Sequence, residues 1–513
     1  MLRLLILGVL GLVTLLSFVQ LLIAGSESSL DPAAAQPPRP ARDYVVAFVT
    51  HKRTDLLEVG MRSFLGQPDA KKFDVLISLD HPDSEPRVRT LMSSLETDFP
   101  FITGHVNLII KPDEPARFFA AMPALDQRID QHIFFALRQA FTPEYRYGIL
   151  LEEDLELSPD FVELMVLAAP LLDSDNTLFC VSGWNDNGRS QVEANPSRLM
   201  RTDVFNNLSF LFRREEALKI LARWPGYDFW GWDQWMRTEL ATKQRECIVP
   251  ELSRLRHIGS NGRHVKDNSG FMALPFAHLE SGLGTFTDSL KRMSLEVYDA
   301  DLRRKLANAK MIDIETALKP DFVFAPGSDY LVPIQFEDCL NYELMWKALI
   351  TRREVCRMTH RGLFEGHPSD DTTVYFVDRR SGAEWLPKEL WVAHEGLRAV
   401  PSSPGKTCDD RCREIGLVCS SHDAAHINTC EAIGSVLDCE RCTQSEEHRG
   451  PAAKPPVEYG MWSRFFRPAA QECLVSKLGG FFCDEPPPLD RSPLCPCIPP
   501  VSSFNWRFNY NRG

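Results

Sequence analysis

The stretch Tyr147-Gly-Ile-Leu-Leu-Glu-Glu-Asp-Leu-Glu-Leu-Ser-Pro-Asp160 decides the reading of this chain. Tyr147 to Leu151 is an apolar run suited to a strand buried on both faces, and it delivers Glu152, Glu153 and Asp154 to its C-terminal end. In open α/β sheets ligands bind outside the carboxyl ends of the strands. Carboxylates at that place commonly share a hard divalent ion, Mn²⁺ or Mg²⁺, with the phosphates of a substrate. Ser158-Pro159-Asp160 reads as a helix start, with an N-cap, proline at the first helical position and an acid in the first turn. That accounts for the second half of the stretch and leaves the three acids to be explained.

Working outward, Tyr44–Thr50 and Phe73–Asp80 are further continuous apolar strands, and Asp55–Phe64 between them has helical periodicity. Val106–Ile110 is another strand candidate, and the helical stretch Asp126–Ala140 leads into the strand that carries the acids. Strand, helix, strand in this order predicts an α/β fold with a parallel, nucleotide-binding sheet. Residues 290–395 are mixed, with a helix expected around Glu296–Leu302 and a strand at Thr372–Val377.

The 513 residues are 44% hydrophobic and 25% charged, an ordinary globular composition with room for two or three domains. The net charge of −13, with no basic run, excludes a nucleic-acid-binding role. Leu2–Gly25 is almost wholly apolar and long enough to span a bilayer, while a cleaved signal peptide would have a shorter apolar region. With Arg3 on the short flank, the expectation is a type II anchor over residues 1–25 and a Ser/Ala/Pro-rich stem over 26–42. The rest is then lumenal, as residues 43–395 and a separate module, 396–513.

Ten of the fourteen cysteines fall in that module: 408, 412, 419, 430, 439, 442, 473, 483, 495 and 497. The paired spacings Cys408-x₃-Cys412 and Cys439-x₂-Cys442 leave structural zinc open. An oxidising compartment and an even count favour five disulfides. Asn207-Leu208-Ser209 spells a glycosylation sequon.

Five motifs then stand in one order: Glu152–Phe161, Cys180–Gly188 (C-V-S-G-W-N-D-N-G), Arg201–Phe205, Trp232–Arg237 (W-D-Q-W-M-R) and Cys247–Arg254. Together they resemble the catalytic domain of the N-acetylglucosaminyltransferase I family, to which the protein O-mannose β-1,2-N-acetylglucosaminyltransferases are related. The module, from Lys406-Thr-Cys408 to Leu494-Cys-Pro-Cys497, resembles the cysteine-rich end of N-acetylglucosaminyltransferase V. The first resemblance implies the GT-A glycosyltransferase fold and, for the chain as a whole, a single-pass Golgi membrane enzyme. The implied reaction moves GlcNAc from UDP-GlcNAc to the 2-hydroxyl of mannose on N-glycans, with inversion. Protein O-mannose is the alternative acceptor, and an inactive carbohydrate-binding relative is the alternative from another class.

The same resemblance implies roles for single residues. Asp154 is the metal ligand, with Glu152 and Glu153 supporting it; Glu153 stands where the family usually has Asp. Asp80 meets the uracil ring, His132 lies near the nucleotide, and Lys52, or Arg53 one position on, meets the nucleotide as well. Asp233 is the base that takes the acceptor's proton, and Trp232 beside it offers an aromatic face to sugar. Cys180 and Cys247 pair across the core, which leaves Cys339 with Cys356. A family cysteine pair is missing, with Thr50 and His81 in its place. Gly259-Ser-Asn-Gly262 resembles the family's donor-closing loop, except that Arg263 and His264 follow where small residues are usual.

Overall fold

The structure is a computed structural model that describes residues 42–113, 124–186, 195–224, 231–237, 242–260, 286–335, 359–369, 371–437, 439–454 and 472–500. The expected anchor and stem up to residue 41, Cys339, Cys356 and most of the loop after Gly259 lie outside the described residues. Among the described residues, no helix is long and apolar enough to cross a membrane.

Each apolar run becomes a strand: β1 (Tyr44–Thr50), β2 (Phe73–Leu79), β3 (Val106–Ile110) and β4 (Tyr147–Glu152). The helices α1 (Thr54–Leu65), α2 (Glu85–Asp98) and α3 (Ala124–Ala140) connect them. β1 pairs in parallel with β2 on one side and β4 on the other, and β2 pairs with β3. The eight-stranded sheet continues through β8 (Ser209–Arg213), β6 (Leu178–Ser182), β9 (Glu246–Pro250) and β7 (Leu199–Thr202), in the order β3-β2-β1-β4-β8-β6-β9-β7. Both faces are covered, because side chains alternate along each strand. Val46 and Phe48 share a core with Leu57, Met61 and Phe64 of α1, while Val45, Ala47 and Val49 share one with Ile133, Ala136 and Leu137 of α3.

The order places a topological switch point between β1 and β4, since the chain winds one way from β1 to β3 and returns to the other side at β4. That crevice lies at the carboxyl end of the strand bearing the acids. A two-stranded pair, β5 (Leu155–Leu157) with β10 (Leu255–His257), lies directly after them. A second mixed sheet, in the order β11-β12-β14-β13, comprises β11 (Lys310–Met311), β12 (Tyr330–Ile334), β13 (Leu363–Ser369) and β14 (Thr372–Asp378).

Several motif residues turn out to hold the fold. Cys180 on β6 is bonded to Cys247 on β9, Cα atoms 4.5 Å apart, stapling two neighbouring strands of one sheet. Arg201, with a fully buried side chain, pairs with Asp175 (2.8 Å) and Glu246 (2.7 Å). Asp160 differs from its expected place in a helix's first turn. α4 (Phe161–Ala168) begins one residue later, and the Asp160 carboxylate is buried against Arg254 at 2.8 Å. In Val181-Ser-Gly-Trp-Asn-Asp, Asn185 donates to the carbonyls of Pro250 and Glu251, and Trp184 donates to Asp186. The Asn185 bonds tie the end of β6 to the end of β9.

From residue 397 the chain forms its own sheet from β15 (Arg398–Pro401), β17 (Arg441–Arg449), β18 (Ala452–Lys454), β19 (Glu472–Leu478) and β20 (Ser492–Ile498), in the order β15-β20-β18-β19-β17, with β16 (Val418–Cys419) paired to β20. Five disulfides hold this module: 408–495, 412–497, 419–483, 430–442 and 439–473. Cys408 and Cys412 are one turn apart on the helix Cys408–Glu414, and Cys495 and Cys497 share a face of β20 (Ser492–Ile498), so two bonds rivet helix to strand. Zinc finds no thiolate here: no cysteine among the described residues is free, and the two sulfurs beside Asp409 are bonded to each other.

The module's ion pairs with the rest of the chain include Lys243–Asp409 (2.6 Å), Arg245–Asp484 (3.1 Å) and Arg449–Glu296 (2.9 Å). β6 and β9 run in the same direction as β4, since β8 is antiparallel to both β4 and β6. Arg245, just before β9, therefore lies at the end of the sheet opposite the acids.

Replacing Arg201 by Met should leave Asp175 without its cation and Glu246 with His360 alone, and cost about 3–5 kcal/mol, the usual penalty for breaking a buried pair. Urea unfolding at neutral pH would read this as a lowered midpoint with little change in slope.

Candidate active site

The site is organised around a clasp between β1 and β4. Glu153 accepts hydrogen bonds from the Thr50 hydroxyl (2.6 Å), the His51 backbone N–H (2.9 Å) and the Arg53 guanidinium (2.6 Å). Its oxygens are thus engaged by the chain's own donors. Expected to support the substrate, Glu153 instead closes the switch point, and its longer side chain reaches the turn after β1.

Arg53 also reaches Asp154, Nη2 to Oδ2 at 2.8 Å. Lys52, the residue expected to meet the nucleotide, is exposed; the turn after β1 sends the next side chain inward instead. The His257 ring, on β10, stands 3.2 Å from the same Asp154 oxygen. Burial alone would raise the Asp154 proton affinity, but the His257 and Arg53 contacts prevail and hold it below the ordinary carboxylate value. Glu152 goes the other way, pushed well above the ordinary range by burial first and then by the charges of Asp154 and Asp233. The acids thus carry more negative charge than Arg53 balances.

These residues fit a divalent ion. Asp154 offers a carboxylate oxygen that Mn²⁺ accepts, and His257 Nε2 would serve as a nitrogen donor once it gives up its hydrogen bond to that oxygen. A Cβ on Gly259 would stand 2.3 Å from Asp154 Oδ2, so glycine keeps a cradle open beside that carboxylate. Arg53 Nη1, 2.9 Å from that same position, is buried and has no acceptor among the described residues, leaving a donor for an anionic group.

Asp80 follows β2 and lies in a chain of histidines. The His51 ring bonds it at 2.6 Å and His132 Nδ1 is 3.6 Å away, while His132 Nε2 meets the Ser78 hydroxyl at 2.9 Å. Burial would raise Asp80, and the two histidines more than offset it, so the carboxyl titrates below its usual value. His132 is pulled down to about 4, chiefly by burial. At neutral pH it is an uncharged ring fixed by a serine and a carboxylate.

Asp233 lies in the first turn of a short helix, α6 (Trp232–Met236). Its Oδ2 pairs with Arg237 at 2.8 Å, one turn along. Trp232, expected to face a sugar, is 6% exposed and packs in the core, its ring about 6.0 Å from Phe205 and 5.9 Å from Phe210. Its backbone N–H is what serves the site, donating to Asp130 of α3 at 2.9 Å. Burial pushes Asp130 up to about 7 against that hydrogen bond, and the Asp233 charge adds to the rise. Sequence reading missed Asp130, Arg237 and His257 as site residues and took Asn207 only as the start of a sequon. Arg237, inside the W-D-Q-W-M-R motif, carried a signal as well.

A helix-covered sheet that presents acids at the switch point, with a further acid on a separate helix near enough to perturb Glu152, is the arrangement expected of the GT-A glycosyltransferase fold. Residues 25–362 match the model of the GNT-I family, and the chain belongs to that family. It is 30% identical over 221 residues to an Arabidopsis thaliana alpha-1,3-mannosyl-glycoprotein 2-beta-N-acetylglucosaminyltransferase, covering 42% of this chain and 47% of the relative. A 156-residue match, 25% identical, links it to the human alpha-1,6-mannosylglycoprotein 6-beta-N-acetylglucosaminyltransferase B, over 29% of this chain and 18% of that one. The chain thus spans less than half the length of these curated relatives. Similar solved structures include the mannosyltransferase PcManGT from Pyrobaculum calidifontis in complex with GDP-Man and Mn²⁺ (17% identity, 44% of this chain and 57% of that one, TM-score 0.28). Another is S. aureus TarS 1-349 (13% identity, 42% and 59%, TM-score 0.29).

A buried histidine held neutral stabilises the fold fully above its unfolded pKa near 6.5, and the contribution is lost as pH falls towards about 4. His132→Asn should remove that component, on the order of 2–3 kcal/mol across this window. Urea midpoints at pH 7 and pH 4.5 would then fall less steeply for the variant than for the parent.

Proposed function

We propose that this protein transfers GlcNAc from UDP-GlcNAc to the 2-hydroxyl of a mannose on N-glycans, inverting the anomeric centre to give a β-1,2 linkage. The observation that carries the reading is the convergence at the switch point. Asp154 and the free Arg53 donor lie on the donor side, and Asp233 is near enough to raise the proton affinity of Glu152. Family membership supports the class of reaction, and the Arabidopsis relative supports the linkage.

In this reading Asp80, fixed by His51 and His132, accepts a hydrogen bond from the uracil ring, and Arg53 Nη1 meets the diphosphate. Asp154, with His257 beside it, holds Mn²⁺ or Mg²⁺, which supplies Lewis-acid neutralisation of the departing phosphate charge. Asp233 takes the proton of the mannose hydroxyl as its oxygen forms a bond to the anomeric carbon. The bond from that carbon to the phosphate oxygen breaks, and UDP leaves with the electron pair. The five disulfides of the module favour an oxidising compartment, in keeping with a lumenal Golgi enzyme anchored by Leu2–Gly25. Protein O-mannose remains the second acceptor to test, because acceptor choice rests on loops rather than on the shared motifs.

Transfer from UDP-GlcNAc to a panel of mannose acceptors, with and without Mn²⁺, tests the reading directly; no transfer to any of them would defeat it. Asp154→Ala should lose both Mn²⁺-dependent donor binding and turnover. Asp233→Asn should keep donor binding by calorimetry while turnover falls by about 10² or more. Near-normal turnover in Asp233→Asn would place the base elsewhere.

A further inference from the structure

Asn207 begins the only stretch of the site that also spells a modification signal, and the geometry gives it another task. It lies in the turn between β7 and β8, with its side chain pointing at α6. Arg237 Nη2 donates to Asn207 Oδ1 at 3.0 Å, and Asn207 Nδ2 faces Asp233 Oδ2 at 3.5 Å. The amide can sit only one way round, because a guanidinium has donors alone and a carboxylate acceptors alone. Arg237 Nη1 closes the triangle on Asp233 Oδ2 at 2.8 Å, and its Nε donates to the Phe205 carbonyl at 3.3 Å. Asp233 Oδ2 is therefore held from two sides.

The rest of the sequon is equally committed. Ser209 is fully buried, and its hydroxyl accepts the Gly183 N–H at 3.0 Å. The atom that would carry a glycan, Asn207 Nδ2, is the atom aimed at Asp233. A sugar there would occupy the space of the carboxylate.

We propose that Asn207 is a positioning residue for Asp233, acting with Arg237 to fix one carboxylate oxygen so that the other meets the acceptor, and that its sequon stays unglycosylated in the working enzyme. The inference rests on the reading of Asp233 as the base.

Two measurements test it. In protein secreted from a eukaryotic host, the peptide bearing Asn207 is digested with peptide-N-glycosidase in heavy-oxygen water and weighed. No mass gain is expected, and a glycan on most molecules of an active preparation would overturn the proposal without any variant being made. In the second, Asn207→Ala should lower kcat about 10- to 100-fold, the scale on which outer hydrogen-bond partners act, while UDP-GlcNAc affinity with Mn²⁺ by calorimetry stays unchanged. Asn207→Ala added to Asp233→Asn should cause no further loss, because a positioning residue has nothing left to position. An equal loss in both backgrounds, or no loss in the single variant, would overturn the positioning role while leaving Asp233 as the base. Full turnover in Asp233→Asn would instead remove the reading beneath it.

Discussion

The bond on which the site depends is the one from Glu153 to the turn after β1. Two parallel strands end side by side there, and nothing in strand pairing itself fixes the loops that follow. A carboxylate that accepts from Thr50, from the His51 backbone and from Arg53 does so. It turns Arg53 towards Asp154, and the same turn leaves Lys52 in water. The bond also separates the tasks of three consecutive acids: one closes the scaffold, one faces the donor side, and one, Glu152, is left with a raised proton affinity between Asp154 and Asp233.

Such an arrangement gathers more acids than cations in one crevice. Buried carboxylates without enough cations are costly, and their cost is what makes a site receptive to a cation or to a cationic complex. Asp130 extends the pattern to the helix that carries Asp233. Its carboxyl, near 7, caps the helix that carries Asp233, and it adds a second group poised close to neutrality. Arg237 and Asn207 supply the opposing constraint, holding Asp233 where helix geometry alone would leave it free to rotate.

Much of the fold was legible in the chain, because local composition determines it. Continuous apolar runs became β1 to β4 with bounds close to those read, and the helical stretch before the acids became α3. The tail's cysteines read as disulfides for reasons of compartment and count. What remained hidden depends on partners far apart in sequence. Whether Lys52 or Arg53 points inward is decided by Glu153, a hundred residues away. Asp160 looked like helix punctuation because Arg254 could not be seen beside it, and Trp232 looked like a sugar platform because its partners, Phe205 and Phe210, lie in another motif. Motif residues such as Arg201 carry the family signal while doing the work of a core. A motif can mark the neighbourhood of a site without touching a substrate.

The cysteine-rich module docks where the strands begin, and the acids stand where they end. Internally it is cross-linked, whereas its attachment to the rest of the chain includes three ion pairs and the stacking of Arg245 over Phe482. An attachment at that rim of the sheet leaves the crevice at the other end of the strands clear of the module, so every residue that shapes it, from Thr50 to Gly259, comes from the chain before the module begins.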